Sequence, residues 1–232
     1  MSETIGDVTL PEIVTVMVHD LNNPLAALGT NLRFLENTLG ASQSRDVTET
    51  LSDAHMLCDM LRRLISNLGM LGQNNPPVAR PVTMDVVAMI LASAERLGKQ
   101  AEAAEVKLVV EAGFRTGEVF VESDPGLCER ALDNLMAFAV ERAVSRSTII
   151  VSATKTGRVG VKIRCTARPK TTEVSAHPSR SRQLQSAFGR GLSLHCARIA
   201  AEATKGRIDV QHDEQDQMTV ELVLRIDDKQ IA

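Results

Sequence analysis

From residue 21 the chain repeats leucine at Leu21, Leu25, Leu28, Leu32, Leu35 and Leu39, with spacings of 4, 3, 4, 3 and 4. An α-helix gathers residues at that spacing onto one stripe, and the stripe must be covered by other helices. After the polar stretch Gly40 to Asp46, a second stripe runs through Ala54, Leu57, Leu61, Leu64, Leu68 and Leu71, with a parallel row at Leu51, Cys58 and Ile65. Two long helices joined by a short turn form an antiparallel hairpin. A lone hairpin cannot bury both stripes, and each apolar side chain left in water forgoes roughly 1.5–3 kcal/mol. The expectation is a homodimer in which two hairpins build a four-helix bundle.

Residues 73 to 81, QNNPPVARP, contain three prolines and end the helical pattern. They read as a linker with its boundary near residue 76, giving a hairpin domain over 1–75 and a second domain over 76–232. The second domain mixes periods. A helix is expected from Met84 to Glu105, and strands at 107–110 and 119–122. A helix opened by Asp124-Pro125 then runs to Val144, and a strand pair at 148–153 and 159–165 turns at Thr156-Gly157. A polar loop over 166–188, a helix at 192–203 and strands at 207–211 and 218–226 complete an α/β sandwich. The whole chain is thus of the α+β class.

Composition removes several kinds of partner. Lys and Arg total 26 against 29 Asp and Glu, a net charge of −3, so no overall basic field exists to hold a nucleic acid or an anionic membrane. Aromatic residues are 2% of the chain, without Trp or Tyr, which disfavours stacking on bases. The apolar-rich stretch Val86 to Ala94 lies between Asp85 and Glu95 and is far shorter than the ~18 residues of a membrane span. The N-terminus MSETIGDVTLPEI carries acids where a secretory signal has cations. These features point to a cytoplasmic protein with neither nucleic acid nor membrane as partner. Cys58, Cys128, Cys165 and Cys196 show no C-x-x-C pair and no zinc-site spacing, so they read as small buried residues and no metal site is expected.

The segment Val18-His19-Asp20-Leu21-Asn22-Asn23-Pro24-Leu25 stands out on the first helix. His19 lies about 200° around the helix from Leu21, so its imidazole should face solvent. Asn23, four residues on, shares nearly the same face, and Asp20 can reach the ring edge. Pro24 removes a helical hydrogen bond to the carbonyl of Asp20, at a cost of roughly 3 kcal/mol. A neutral imidazole can attack phosphorus when a carboxylate holds the proton on its other nitrogen, and Asp20 is placed for that task.

This octet resembles the H-box of sensor histidine kinases, His-Asp/Glu-x-x-Asn/Thr-Pro, on the first of two heptad helices as in that family. Residues 82 to 226 resemble the family's ATP-binding domain. The resemblance implies that His19 accepts a phosphoryl group and that Asp20 is the general base. Asn23 would position a water for dephosphorylating the partner, the receiver domain of a response regulator. Only 18 residues precede His19, so stimuli are expected to enter other than through a preceding sensor segment.

The nucleotide boxes depart from the family pattern. Where the family has Asn-Leu-x-x-Asn-Ala-x-Lys, this chain reads Asn134-Leu135-Met136-Ala137-Phe138-Ala139-Val140-Glu141. The first asparagine is kept, the metal-binding one is Phe138, and Glu141 puts an anion in the place of a cation. The family's Asp-x-Gly-x-Gly is replaced by Arg164-Cys165-Thr166-Ala167-Arg168-Pro169. The final glycine box survives as Gly189-Arg190-Gly191-Leu192-Ser193-Leu194, at a helix start that could cradle an anion. The intervening loop carries Arg168, Lys170, Arg180, Arg182 and Arg190 against Glu173, fitting either a solvated loop or a grip on an acidic partner.

The leading expectation is a phosphorelay protein, a histidine phosphotransferase-like pseudokinase in which His19 exchanges phosphoryl groups with receiver aspartates. Asn134, Gly189 and Gly191 would be vestiges of a nucleotide site, and no cofactor is expected. Two alternatives stay open: an active cytosolic histidine kinase with an atypical site using ATP and magnesium, and a non-catalytic dimeric scaffold that binds response regulators.

Overall fold

The computed structural model describes residues 10–39, 45–71, 77–156, 160–169, 192–213 and 217–225. The chain divides into two compact units, Met1–Pro76 and Pro77–Ala232.

The first unit is a helical hairpin of α1 (Leu10–Leu39) and α2 (Arg45–Leu71). α1 starts well before the leucine repeat, with Pro11 in its first turn, where a missing N–H is not needed. Leu25 and Leu32 of α1 pack on Cys58 and Ile65 of α2, flanked by Val18, Leu51 and Ala54. The leucine repeat therefore divides between two rows. Leu25 and Leu32 close the hairpin, whereas Leu21, Leu28, Leu35 and Leu39 remain exposed, as do Leu57, Leu61, Leu64 and Leu71 on α2. At roughly 100° per residue on antiparallel helices, the two exposed rows lie on the same side of the hairpin.

The second unit joins a five-stranded sheet to a layer of helices. β1 (Val82–Asp85) pairs antiparallel with β3 (Phe120–Ser123), Val82 opposite Ser123. The helix expected from Met84 begins instead at Val86, because Met84 and Asp85 belong to β1 and Asp85 is the N-cap of α3 (Val86–Ala103). One oxygen of Asp85 accepts from the N–H groups of Val87 and Ala88, and the other accepts from Gly117 N–H at 2.6 Å. Asp124 opens α4 (Pro125–Arg142) in the same way. It accepts from Leu127 N–H, while its second oxygen accepts from the backbone N–H of Arg80, fixing the end of the linker.

The large sheet has the order β2 (Lys107–Glu111), β4 (Thr148–Thr156), β5 (Gly160–Ala167), β7 (Met218–Arg225), β6 (Arg207–His212). β2 and β4 are parallel and the other neighbours antiparallel, with Ile163 opposite Leu222 and Cys165 opposite Val220. Alternation sends Val151, Ile163, Cys165, Val220 and Leu222 into the core, where they are buried with α4. α4 also packs against α3 and α5 (Leu192–Ala203), which makes it buried almost all round. All four cysteines are buried and free.

The opposite face of the sheet is polar. At its centre Glu221, with its side chain only 4% exposed, is held by Lys162 Nζ at 2.8 Å and Arg164 Nε at 2.7 Å from the neighbouring strand. Burial alone would push the Glu221 carboxyl up, but the hydrogen bonds and charges of Lys162 and Arg164 outweigh it and hold it below the usual carboxylate range.

Candidate functional site

α1 carries the candidate residues of the first unit. His19 and Asp20 project into solvent, their side chains 73% and 69% exposed, and His19 Nδ1 lies 3.2 Å from Asp20 Oδ1. That distance is within hydrogen-bond range, with Nδ1–H as donor and the carboxylate as acceptor. The tautomer that makes this bond leaves the Nε2 lone pair directed to solvent. Asn23 is exposed one turn further along, and Pro24 lies inside the helix, which runs unbroken from Leu10 to Leu39. His19, Asp20 and Asn23 therefore share the exposed surface of this part of the helix.

Asn134 and Phe138 lie one turn apart on α4, and both are buried. The Asn134 amide donates to the carbonyl of Arg130 at 2.9 Å, a bond within its own helix. Phe138 is 3% exposed, and the Arg142 guanidinium stands over its ring at 4.9 Å from the centroid. Arg142 was not singled out by the sequence reading, although its position four residues after Phe138 places the two on one helix face. The strand expected to end at Cys165 continues to Ala167. Beyond it the Arg168 carbonyl accepts from Val144 N–H at 2.9 Å, and Pro169 bridges to Ala143, so this segment closes against the end of α4. A magnesium–triphosphate needs oxygen ligands and facing cations. Position 138 offers a hydrocarbon ring and no oxygen ligand, and position 141 offers a carboxylate where a cation would face the phosphates.

Gly189, Gly191, Lys170, Arg180, Arg182 and Arg190 lie outside the described residues. Of the remaining histidines, His195 and His212 are exposed. His55 is half-buried on α2, with its Nε2 3.4 Å from Glu36 Oε2 of α1, a link across the hairpin that the sequence reading missed because the two are far apart in the chain. Among the described residues no helix is long and apolar enough to cross a membrane.

The solved structures that resemble the chain are histidine kinases, so its helical hairpin and α/β unit have a histidine-kinase-like fold. Full-length ShkA in complex with AMPPNP matches with a TM-score of 0.57 and 16% identity over 93% of this chain and 46% of that one. The Acinetobacter baumannii histidine kinase AdeS matches with a TM-score of 0.53 and 12% identity over 90% of this chain and 98% of that one. The nucleotide-free catalytic domain of histidine kinase ThkA matches with a TM-score of 0.50 and 15% identity over 63% of this chain and 97% of that one. The chain spans less than half the length of ShkA. No protein-family model matches the sequence, and no curated protein matches it.

Proposed function

We propose that this chain is a two-component phosphorelay protein of the sensor histidine kinase family, in which His19 accepts a phosphoryl group from a receiver aspartate and donates it to another. The observation that carries the reading is the exposed imidazole of His19 with its Nδ1 on the Asp20 carboxylate. In the forward step Nε2 attacks the phosphorus of an aspartyl phosphate. The N–P bond forms as the P–O bond to the receiver carboxylate breaks, and that carboxylate leaves with the electron pair. Asp20 stabilises the imidazolium through Nδ1–H. The reverse sequence returns the phosphoryl group to a second receiver. Asn23, on nearly the same face, can position a water for hydrolysis of the receiver's phosphate.

In this reading the second unit keeps the kinase fold and binds no nucleotide. The buried ring at position 138, which offers no ligand to a metal, and the anion at position 141, which repels a triphosphate, support it, since together they should cost several kcal/mol of metal and triphosphate binding. The working form is a cytoplasmic homodimer. The exposed leucine rows of α1 and α2, on one side of the hairpin, are the surface that a second hairpin would bury to complete a four-helix bundle. His19 lies on the other side, so dimerisation leaves it open.

The experiment is thermal unfolding of the chain with 1 mM magnesium-ATP, paired with incubation in radiolabelled ATP. A site with micromolar affinity would add at least about 2.7 kcal/mol and raise Tm by roughly 5–10 °C. The reading expects no rise and no label on His19. A clear rise accompanied by labelling of His19 from the γ-phosphate would make the chain an active kinase instead.

A further inference from the structure

We infer that β2 is a self-pairing edge: β2 of a second copy adds to it antiparallel and joins two second units into one continuous sheet. The sheet order puts β2 at one end, with its outer side unpaired among the described residues. The Lys107 N–H donates to the Ser147 carbonyl at 2.9 Å, towards β4. Backbone groups alternate in direction along a strand, so Val109 and Glu111 also turn theirs to β4, whereas Leu108 and Val110 turn theirs to the free edge. Both ends of the strand are fixed. Ahead of it Glu105 and Arg146 adopt left-handed backbone, at φ 55° and 63°, and the Arg146 N–H donates to the Glu105 carbonyl at 2.6 Å. Behind it the chain folds onto β4, where a Cβ at Gly113 would stand 3.3 Å from the Ala153 carbonyl oxygen and Lys155 lies over the Phe114 ring. The edge is therefore held in place before any partner arrives.

The occupant follows from charge, because the strand is complementary to itself read backwards. It has an exposed cation, Lys107, at one end, an exposed anion, Glu111, at the other, and the half-buried Leu108, Val109 and Val110 between them. With Val109 on a two-fold axis, each Lys107 stands opposite Glu111 of the other copy, and each Leu108 opposite Val110. Opposite-charge pairs stabilise such a seam. Leu108 and Val110 are the residues whose backbone groups face outward, so each such pair exchanges two hydrogen bonds. A shift of one residue would set outward groups against residues that face their own β4, and a shift of two would lose both ion pairs. Beside Val109 on the polar face stands the exposed Ile150, so an apolar strip continues across the seam. The opposite edge, β6, is unsuited: Arg207 is paired with Asp209 at 3.0 Å within the strand, and self-pairing over its six residues would set Arg207 against His212. A two-fold contact of this kind closes on itself. It gives the second unit a task that needs no nucleotide, and it does not rest on the phosphorelay reading.

Two five-residue strands make a small contact, so the test traps it covalently in the full chain. Opposed residues of a non-hydrogen-bonded pair have Cα atoms about 4.5 Å apart, within reach of a disulfide. Val109→Cys is oxidised mildly, the native cysteines being buried, with Gln211→Cys on β6 as the exposed reference. The inference expects Val109→Cys to form disulfide-linked pairs roughly tenfold faster than Gln211→Cys or better. In the Val109→Cys background, Lys107→Glu alone or Glu111→Lys alone puts like charges opposite each other and should slow cross-linking about tenfold. Co-expressed with distinct tags, these two variants should cross-link to each other at the original rate, which a loss caused by unfolding would not allow. Val109→Cys cross-linking no faster than the β6 reference overturns the inference. Cross-linking indifferent to the charge changes, or slowed by both and not recovered in the mixture, overturns it as well.

Discussion

Replacing Phe138 by Asn would restore the residue type that binds metal in histidine kinases, and it should damage the protein rather than revive it. The ring is 3% exposed inside α4 and is covered by Arg142 at 4.9 Å. Removing a buried phenyl group costs about 3–5 kcal/mol. The lost cation–π contact adds about 0.5–1 kcal/mol, and a buried amide short of partners adds about 1–3 kcal/mol. These contributions overlap at one site, so we take about 4–6 kcal/mol in total. At about 1.4 kcal/mol per factor of ten, opening of the second unit becomes roughly a thousandfold or more as frequent. Cys165 and Cys196 report that opening directly, because both are buried in this unit. Burial also holds their thiols protonated, that of Cys196 being pushed up to about 11. Pulsed thiol labelling read by peptide mass should show both cysteines modified far faster in Phe138→Asn, and only modestly faster in Phe138→Leu. Labelling accelerated less than tenfold in Phe138→Asn would mean that the ring is not core, and the reasoning about this position would be wrong.

Three further expectations are independent of that one. The folded Glu221 carboxyl lies below its ordinary range, so its contribution is complete above the unfolded value and is lost as pH falls through the folded one. Stability should therefore drop as pH falls below the ordinary carboxylate range, with Asp124 contributing in the same direction because backbone N–H groups of Arg80 and Leu127 lower it. Glu221→Gln should cost about 1–2 kcal/mol at neutral pH and flatten part of that acid limb in urea titrations; an unaltered limb would show the triad to be inert. Gly206→Ala should destabilise by about 2 kcal/mol or more, because its Cβ would stand 2.6 Å from the Val223 carbonyl oxygen. By contrast Gly29→Ala meets only the Arg62 Nη2 at 2.5 Å, the end of a side chain that can swing away, and should stay within about 0.5 kcal/mol as helix propensity compensates; equal losses would refute the contrast. Asp20→Asn should slow phosphoryl transfer to His19 by 10²- to 10⁴-fold without unfolding the hairpin, and an undiminished rate would remove Asp20 from the mechanism.

The hairpin was legible because period is a strong signal: the 4-3 leucine spacing could be satisfied only by helices. The division of those leucines into an inner and an exposed row was not legible, since a stripe does not say which neighbour covers which residue. β1 was missed because Val82–Asp85 is only four residues long and runs directly into α3. Its stability comes from pairing with β3 and from the Gly117 contact to Asp85, neither of which is local. The pairing of Lys162 and Arg164 with Glu221 depends on the register of β5 on β7 across more than fifty residues. At the candidate site, His19 with Asp20 could be read from adjacency on a helix, whereas the cover of Phe138 by Arg142 needed the rotamers that packing selects.

The central claim is tested most directly by mixing the purified chain, in nucleotide-free buffer, with receiver domains carrying radiolabelled aspartyl phosphate. The account predicts that label passes to the chain as an acid-labile, base-stable phosphoramidate at His19 and that His19→Ala remains unlabelled. Label that bypasses His19, or that reaches it only from magnesium-ATP, would contradict the account.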